Sequence, residues 1–218
     1  MTKTGAAARP QFTPDDDESL VEFLIRYQRP IVIGVLAVSL GVGGWWMAKR
    51  SSEIRESKAG EALLAGESAF ATGNAPLAQV EFEKVLTRYP GTSAGTQAAL
   101  LSAQLYFEEG KLDDGIARLE TALVKAPKHL RAGVIGLIAT GKAAAGKPAE
   151  AAADFERAAA AAQFRQEREQ FRMEAARLHV AAGEIAAARA IYEAIAATED
   201  SGHAGEAHLR LGELTSRT

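Results

Sequence analysis

The sequence predicts an all-α protein: a single transmembrane helix near the N-terminus, then an α-solenoid of about four helix pairs and a C-terminal capping helix. Three observations support this class. One segment of 19 residues carries no charge, a pattern recurs every 36 or 37 residues, and the composition is alanine-rich, with only 6% aromatic residues. Alanine favours helices that pack closely, and a chain poor in aromatic residues makes poor sheets. The 218 residues suffice for one or two domains.

The overall charge argues against a nucleic-acid partner. The net charge is −3, and no basic stripe of the kind that binds phosphates is visible. The chain has no cysteine, which excludes disulfides and thiolate zinc sites.

The uncharged segment from Pro30 to Ala48 is predicted to be a membrane anchor. As a helix it spans about 28 Å, close to the hydrocarbon thickness of a bilayer. It is followed by Lys49 and Arg50, and Trp45 and Trp46 lie where an interfacial aromatic belt is expected. A buried core helix is the alternative, but such a helix usually has a polar side. A cleaved signal peptide fits less well, because the leader is acidic and no A-x-A-like site follows.

The leader, residues 1–29, is predicted to be disordered over 1–14 and then to form a short amphipathic helix. Acidic residues 15–18 favour the start of that helix, and Pro30 predicts a bend after it. We interpret the acidic run as a solvated cap rather than a metal site, because nothing supplies further ligands.

A row of small residues lies on one face of the predicted anchor: Gly34, Ala37, Gly41 and Gly44. Small residues at this spacing let a second helix approach closely. Membrane helices are rich in glycine in any case, so the pattern leaves open whether this face packs against a partner.

The charges flanking the anchor favour a cytoplasmic C-terminal domain. Two arginines, Arg26 and Arg29, precede it, whereas four basic residues follow between Lys49 and Lys58. The positive-inside rule places the more basic side in the cytoplasm, but long domains translocate largely regardless of such a bias.

The soluble part, residues 49–218, contains four copies of one pattern. Each copy has a glycine, a small residue five positions later and an aromatic residue or leucine four positions after that, and the glycines are 37, 36 and 37 residues apart. The copies are Gly73–Ala78–Phe82, Gly110–Gly115–Leu119, Gly146–Ala151–Phe155 and Gly183–Ala188–Tyr192. A period of this size predicts a solenoid of helix pairs.

Each part of the pattern has a physical role. The glycine ends one helix in a left-handed turn, the small residue lets the next helix cross closely, and the large residue fills the gap between units. Pro90 and Pro127 end the second helix of the first two units. The predicted helices are 52–72, 76–88, 93–109, 112–125, 129–144, 148–162, 166–181 and 185–197, with a capping helix at 203–214.

This arrangement resembles the tetratricopeptide repeat, although its period exceeds the usual ~34 residues. It departs from that repeat at Gly115, where alanine is normal, and in the missing closing prolines of the last two units. The resemblance implies that the first helix of each pair lines a concave protein-binding groove. By position, that groove comprises Leu63, Glu67, Phe70, Gln97, Leu100, Gln104, Phe107, Thr140, Met173 and Arg177. The alternative is that Phe70, Leu100 and Phe107 belong to the core.

No residue set predicts catalysis, a cofactor or a metal. Residues 91–95 spell G-x-S-x-G, but the nucleophile elbow needs a preceding strand, and here Tyr89 and Pro90 end a helix. Ser93 is instead predicted to be a helix N-cap. Of the four histidines only His203 and His208 are close in sequence, and their spacing puts them off a common helix face. The sequence therefore predicts a non-enzymatic protein.

The layout as a whole resembles the ancillary SecYEG translocon subunit of bacteria. The likeness includes the acidic leader, the amphipathic stretch Ser19–Arg29, an anchor running from Ile31 to Trp46 and the alanine-rich helices that follow. The resemblance implies a single-pass inner-membrane protein with a cytoplasmic N-terminus and a periplasmic repeat domain. Its implied partners are the Sec translocon, a membrane-anchored periplasmic chaperone, unfolded secretory chains and, through the anchor, membrane lipid.

Two other functions remain open at this point. One is a structural adaptor for an envelope assembly or division complex unrelated to secretion. The other is a cytoplasm-facing receptor on a membrane, which the charges around the anchor favour. The translocon subunit and the structural adaptor both require only a groove and an anchor, so the sequence does not separate these two.

Overall fold

The computed structural model describes the backbone of residues 15–216 and the side chains of residues 33, 34 and 36–216; the predicted disorder of residues 1–14 lies outside this range. Within the described backbone, every regular element is helical, which confirms the all-α class. The helices are α1 Asp15–Ala71, α2 Ala75–Arg88, α3 Ser93–Glu108, α4 Leu112–Leu123, α5 Arg131–Ala144, α6 Pro148–Ala161, α7 Arg165–Ala181, α8 Ile185–Ala196 and α9 Ala204–Ser216. A 3-10 turn, Lys128–Leu130, precedes α5.

The chain divides into two units at Ser52 and Glu53. In the first unit, the predicted short helix that ends at Pro30 is absent as a separate element, because α1 continues across Pro30 without interruption. A proline inside a helix removes one backbone hydrogen bond and crowds the preceding turn. Here that cost does not end the helix.

The structure does not support the predicted transmembrane segment 30–48. Among the described residues, no helix contains a stretch both long and apolar enough to cross a membrane. The side chains of residues 30–32 and 35, which belong to that segment, lie outside the described set.

The apolar side chains described between Ile33 and Met47 are exposed. So are the four small residues of the predicted packing face, Gly34, Ala37, Gly41 and Gly44. A Cβ placed on any of the three glycines would meet no described atom within 4 Å. The packing role of this face therefore stays a prediction.

The second unit is a solenoid in which each helix packs against the next, from α2 to α9. The small residue of every repeat is buried, and so is the large residue four positions on, from Phe82 at 0% exposure to Phe155 at 6%. Phe82 packs with Leu63 of α1, and Tyr192 packs with Leu214 of α9. The register predicted from the four-fold pattern is confirmed.

The four repeat glycines make the same turn. Gly73, Gly110, Gly146 and Gly183 have φ of 73°, 75°, 74° and 81°. The residue after each glycine donates its backbone N–H to the carbonyl five positions earlier; for Lys111 and Tyr106 the distance is 2.8 Å. Its own carbonyl accepts the first hydrogen bond of the next helix, as Gly115 N–H to Lys111. One residue thus both closes the first helix and opens the second, as predicted for a left-handed glycine turn.

The start of α3 corrects the predicted N-cap. Thr92, not Ser93, has the extended backbone of a cap, and its hydroxyl oxygen accepts the Gly95 N–H at 2.9 Å. Ser93 is the first helical residue, and its N–H donates to the Glu56 carboxylate at 3.0 Å. A threonine in extended conformation is a preferred cap, and a carboxylate at a helix N-terminus is favourable. Residues 91–95 are therefore a turn and a helix start, not a nucleophile elbow.

The capping helix is present. α9, Ala204–Ser216, agrees with the predicted 203–214 within two residues at its C-terminal end. Its Ala207 and Leu214 are buried against Tyr192 and Ile195 of α8. It covers the last apolar face of the solenoid, as such arrays require.

Candidate functional site: a cavity between the first helices

A cavity of about 540 Å³ lies among the first helices of the repeats. Residues of α3, α5 and α7 line it, together with Phe155 of α6. Cavities of this size lie within the range that binds ligands or partner side chains.

The floor of the cavity is one face of α5. Gly133, Gly136 and Thr140 lie on it at helical spacing. The Phe171 ring of α7 lies against Gly136 so closely that a Cβ there would be 2.6 Å from its Cε1. The Thr140 hydroxyl donates to the Gly136 carbonyl at 3.0 Å. The rings of Phe155 and Phe171 pack against each other with 6.1 Å between their centroids.

The walls of the cavity are mixed in character and neutral in charge. Leu100 and Gln104 come from α3, and Gln170 comes from α7. The two charged residues of the lining, Glu174 and Arg177, pair with each other, since the guanidinium donates to the carboxylate at 2.7 and 3.0 Å. The lining therefore offers apolar surface and amide groups with no net charge.

The structure brings four of the predicted groove residues together. Leu100, Gln104, Thr140 and Arg177 all line the cavity. Gln97 and Glu67 lie on the neighbouring surface between α1 and α3, where the Gln97 amide donates to the Glu67 carboxylate at 3.0 Å. Whether any of these residues binds a partner stays a prediction.

Two further predicted groove residues are buried. Leu63 and Met173 are only 5% and 8% exposed and belong to the hydrophobic core.

The rings of Phe70 and Phe107 are also packed against the core. Phe107 fills the space over two glycines, because a Cβ on Gly115 or Gly141 would lie 2.5 or 2.6 Å from its ring. This contact explains why Gly115 replaces the usual alanine. Phe70, Phe107 and Leu100 are all partly buried and packed against the core, and Leu100 also lines the cavity.

Sequence reasoning missed two thirds of the cavity lining, eight of its twelve residues. The missed residues are Gly133, Gly136, Leu137, Ala143, Phe155, Gln170, Phe171 and Glu174. Most of them could have been found by stepping back three, four or seven residues from Thr140 and Arg177 along their helices. That step reaches Leu137, Gly136 and Gly133 on α5, and Glu174 and Gln170 on α7.

A second, smaller cavity of about 200 Å³ lies between α7, α8 and α9. Arg177 lines both cavities, so the concave surface continues toward the C-terminal helix. Arg210 of α9 faces this second cavity and pairs with Glu213 at 3.1 Å. Tyr192 also lines this cavity, and burial raises the pKa of its phenol above the ordinary value.

The buried His179 ring of α7 lies between two half-exposed carboxylates outside the cavity. Its Nε2 lies 2.7 Å from Glu156 of α6, and its Nδ1 lies 2.5 Å from Glu184 in the turn before α8. Burial lowers its pKa, but the hydrogen bonds and charges of the two carboxylates outweigh burial, so the pKa is raised above the ordinary value. Across the described side chains, no cluster of three or more potential ligands could hold a metal ion.

The repeated helix–glycine turn–helix units, with their buried small and large residues, are shared with a known family. The model of the tetratricopeptide repeat-like domain matches residues 22–216. The chain belongs to this family. Domains of this family typically act as non-enzymatic scaffolds for protein interaction.

Two solved structures of tetratricopeptide repeat proteins share the fold. One, from Parabacteroides merdae, has 14% sequence identity and a TM-score of 0.57; the match covers 74% of this chain and 61% of the length of that protein. The other, a thermophilic protein from Thermus thermophilus, has 17% identity and a TM-score of 0.51, covering 87% of this chain and 98% of that one. No curated protein matches the chain.

Proposed function

We propose that this tetratricopeptide repeat-like protein is a non-enzymatic scaffold whose concave cavity holds a partly unfolded or extended segment of another protein. The observation that supports this most is the lining of the cavity, where apolar side chains alternate with uncharged amides and the Glu174–Arg177 pair cancels its own charge. A strongly charged partner would meet no surface of opposite charge there.

We further propose that the protein works at a bacterial inner membrane beside the Sec translocon, with a periplasmic chaperone or emerging secretory chains as its partners. The support is the resemblance of the leader and of the apolar segment 30–48 to the ancillary translocon subunit. Two more observations agree with it. The described apolar side chains of that segment are exposed, and the family match begins at residue 22, ahead of the segment.

Site-specific photo-crosslinking tests the use of the cavity. A photoreactive amino acid at Gln104 or Thr140, both exposed in the cavity, is expected to capture partners in cells. The same group at Glu120, exposed on α4 away from the cavity lining, is the matched control. Equal capture from Glu120 would contradict the assignment. Phe107 is a poor probe position, because its ring is packed against Gly115 and Gly141.

The captured proteins also distinguish the candidate functions. Secretory chains or a periplasmic chaperone would support the translocon proposal. Components of an envelope assembly or division complex, captured from the same two positions, would support the structural adaptor instead.

Membrane location and topology need their own test. We expect the chain to sediment with membranes and to resist extraction by carbonate. Protease added to intact spheroplasts should digest the repeat domain, whereas inverted vesicles should protect it. Digestion only in inverted vesicles would favour the cytoplasm-facing receptor, which the basic residues after Lys49 suggest. Recovery in the soluble fraction would rule out the anchor.

The small-residue face gives a separate test of the translocon contact. Replacing Gly41 and Gly44 with leucine should reduce co-purification with the translocon, because leucine would hold a partner helix farther away. Replacing Gly43, which is not part of that face, is the matched control. Unchanged co-purification of the Gly41→Leu/Gly44→Leu variant would remove the anchor from the proposal.

A further inference from the structure

We propose that the floor of the concave cavity takes one bulky apolar side chain from an extended, uncharged segment, seated over Gly133 of α5. This inference rests on the proposed function and names the chemistry of the occupant. It depends on three features of the cavity: its open floor, its apolar sides and its uncharged polar groups.

The floor is open because two glycines of α5 differ in their surroundings. The Phe171 ring covers Gly136, so no Cβ fits there without displacing the ring. One turn earlier, Gly133 is exposed, and a Cβ added to it would meet no described atom within 4 Å. The cavity therefore has free space directly above the bare backbone of Gly133.

The sides of this space are apolar and come from three helices. Leu100 of α3, Leu137 of α5 and Phe171 of α7 all line the cavity and are all half-buried, so part of each side chain still contacts solvent. An apolar side chain entering from a partner would remove water from its own surface and from these three at once. A charged side chain would lose its hydration there without gaining an ion pair, because Glu174 and Arg177 already bind each other.

The polar groups favour an extended backbone over a helix. Gln104 of α3 and Gln170 of α7 are exposed at the cavity, and each amide has both a donor and an acceptor. An extended segment has free backbone N–H and C=O groups that can pair with such amides, whereas the backbone of a helix is already paired within itself.

Binding of defined peptides to the full chain tests this inference. The probe is a fluorescein-labelled peptide of serine, asparagine and threonine with one central phenylalanine, compared with versions carrying alanine or aspartate at the centre. We expect the phenylalanine peptide to bind at least ten-fold more tightly than either version. Equal binding of all three, or tighter binding of a helix-stabilised version, would overturn the inference.

A filling substitution locates the site. Gly133→Leu should weaken binding of the phenylalanine peptide at least ten-fold while leaving the melting temperature unchanged or higher, since the position is helical and open. Gly212→Leu, at an exposed and equally open position of α9, is the matched control and should change binding less than two-fold. Unchanged binding by the Gly133→Leu variant would overturn the inference.

Two readouts keep the outcome independent of folding and of the wider function. A benzophenone in place of the phenylalanine ring should attach to Leu100, Leu137 or Phe171, and attachment elsewhere would contradict the site. If crosslinks from Gln104 to cellular partners persist while the peptides fail, only the stated occupant is wrong. If both fail, the proposed function fails as well.

Discussion

At the scale of single residues, several of the closest contacts among the described residues lie between phenylalanine rings and glycines. Phe82 lies over Gly66, Phe107 over Gly115 and Gly141, and each of these glycines lacks room for a Cβ. Interiors packed this closely do not absorb an added methyl group without shifts. The glycines are therefore as much part of the core as the rings.

Gly115→Ala gives a prediction that runs against the repeat pattern. Three of the four repeats have alanine at this position, so a consensus argument would predict stabilisation. The structure predicts a loss of about 1–3 kcal/mol in the free energy of unfolding, because the new Cβ would lie 2.5 Å from the Phe107 ring and 3.1 Å from the Ala103 carbonyl oxygen. Chemical denaturation would measure it.

The matched control is Gly133→Ala, where the Cβ has open space. That substitution should stabilise the protein by up to about 1 kcal/mol through helix propensity. Stabilisation by both substitutions would contradict the contact between Phe107 and Gly115.

His179 makes stability depend on pH. Both of its ring nitrogens face carboxylates, so both contacts are hydrogen bonds only when the ring is protonated. Because its pKa in the folded protein is raised, its stabilisation is fully present below the unfolded pKa of about 6.5 and is lost as pH rises through the folded pKa.

We expect His179→Gln to cost about 1–3 kcal/mol near pH 6, with the cost shrinking toward pH 9. Thermal unfolding of both proteins across this range would show it. His208→Gln, the same substitution at an exposed histidine of α9, is the matched control for the loss of a histidine. A constant cost for His179→Gln would mean that the ring acts by packing alone.

At the scale of elements, the helix pairs depend on one turn that repeats four times. Each glycine has a positive φ, and the residue after it joins the two helices by hydrogen bonds on both sides. Prolines have a smaller part. Pro90 and Pro127 follow α2 and α4, whereas α6 is followed by Ala162 in an extended conformation. α8 is followed, four residues after its end, by Asp200 with φ of 58°. The end of the second helix therefore varies between repeats, while the turn within each pair does not.

Gly110→Ala should cost about 1–2 kcal/mol, because any L side chain is strained at φ of 75°. Space is not the reason, since a Cβ at Gly110 would meet no described atom within 4 Å. Chemical denaturation would measure the cost. Gly110→Asn, which tolerates the left-handed region better, should lose less. Equal losses for alanine and asparagine would contradict the backbone explanation.

At the scale of the whole molecule, the repeat domain, which is the second of the two units, is held together by contacts between helices that follow each other in the chain. Each repeat has its own cluster of buried residues, from Ala59 and Phe82 at one end to Tyr192 and Leu214 at the other. In such an array, damage at one end should spread only to its neighbours.

Removal of α9 tests this view. A chain ending before Ala204 would expose Tyr192 and Ile195, which are 2% and 1% exposed when α9 is present. We expect a lower melting temperature, self-association, and faster hydrogen exchange in α7 and α8 but not in α2 and α3. A chain ending at Thr215, which keeps Ala207 and Leu214, is the control. Uniformly faster exchange would indicate one cooperative unit instead.

The sequence alone determined the helix pairs, their glycine turns and the buried register of the four repeats. These features follow from local causes. A left-handed turn favours glycine, and the helical spacing of the apolar residues shows which positions are buried. The turn at Gly110 and the burial of Phe82 could therefore be predicted without coordinates.

Only the tertiary structure decided which side chains face the groove and which face the core. Leu63 and Met173 were predicted for the groove but are buried, whereas Gly133 and Gln170 line the cavity and were missed. Successive residues of a helix point about 100° apart, so a small rotation of one helix against the next moves a residue from one surface to the other. That rotation depends on contacts such as Phe107 against Gly141, which join residues far apart in the chain and leave no local pattern.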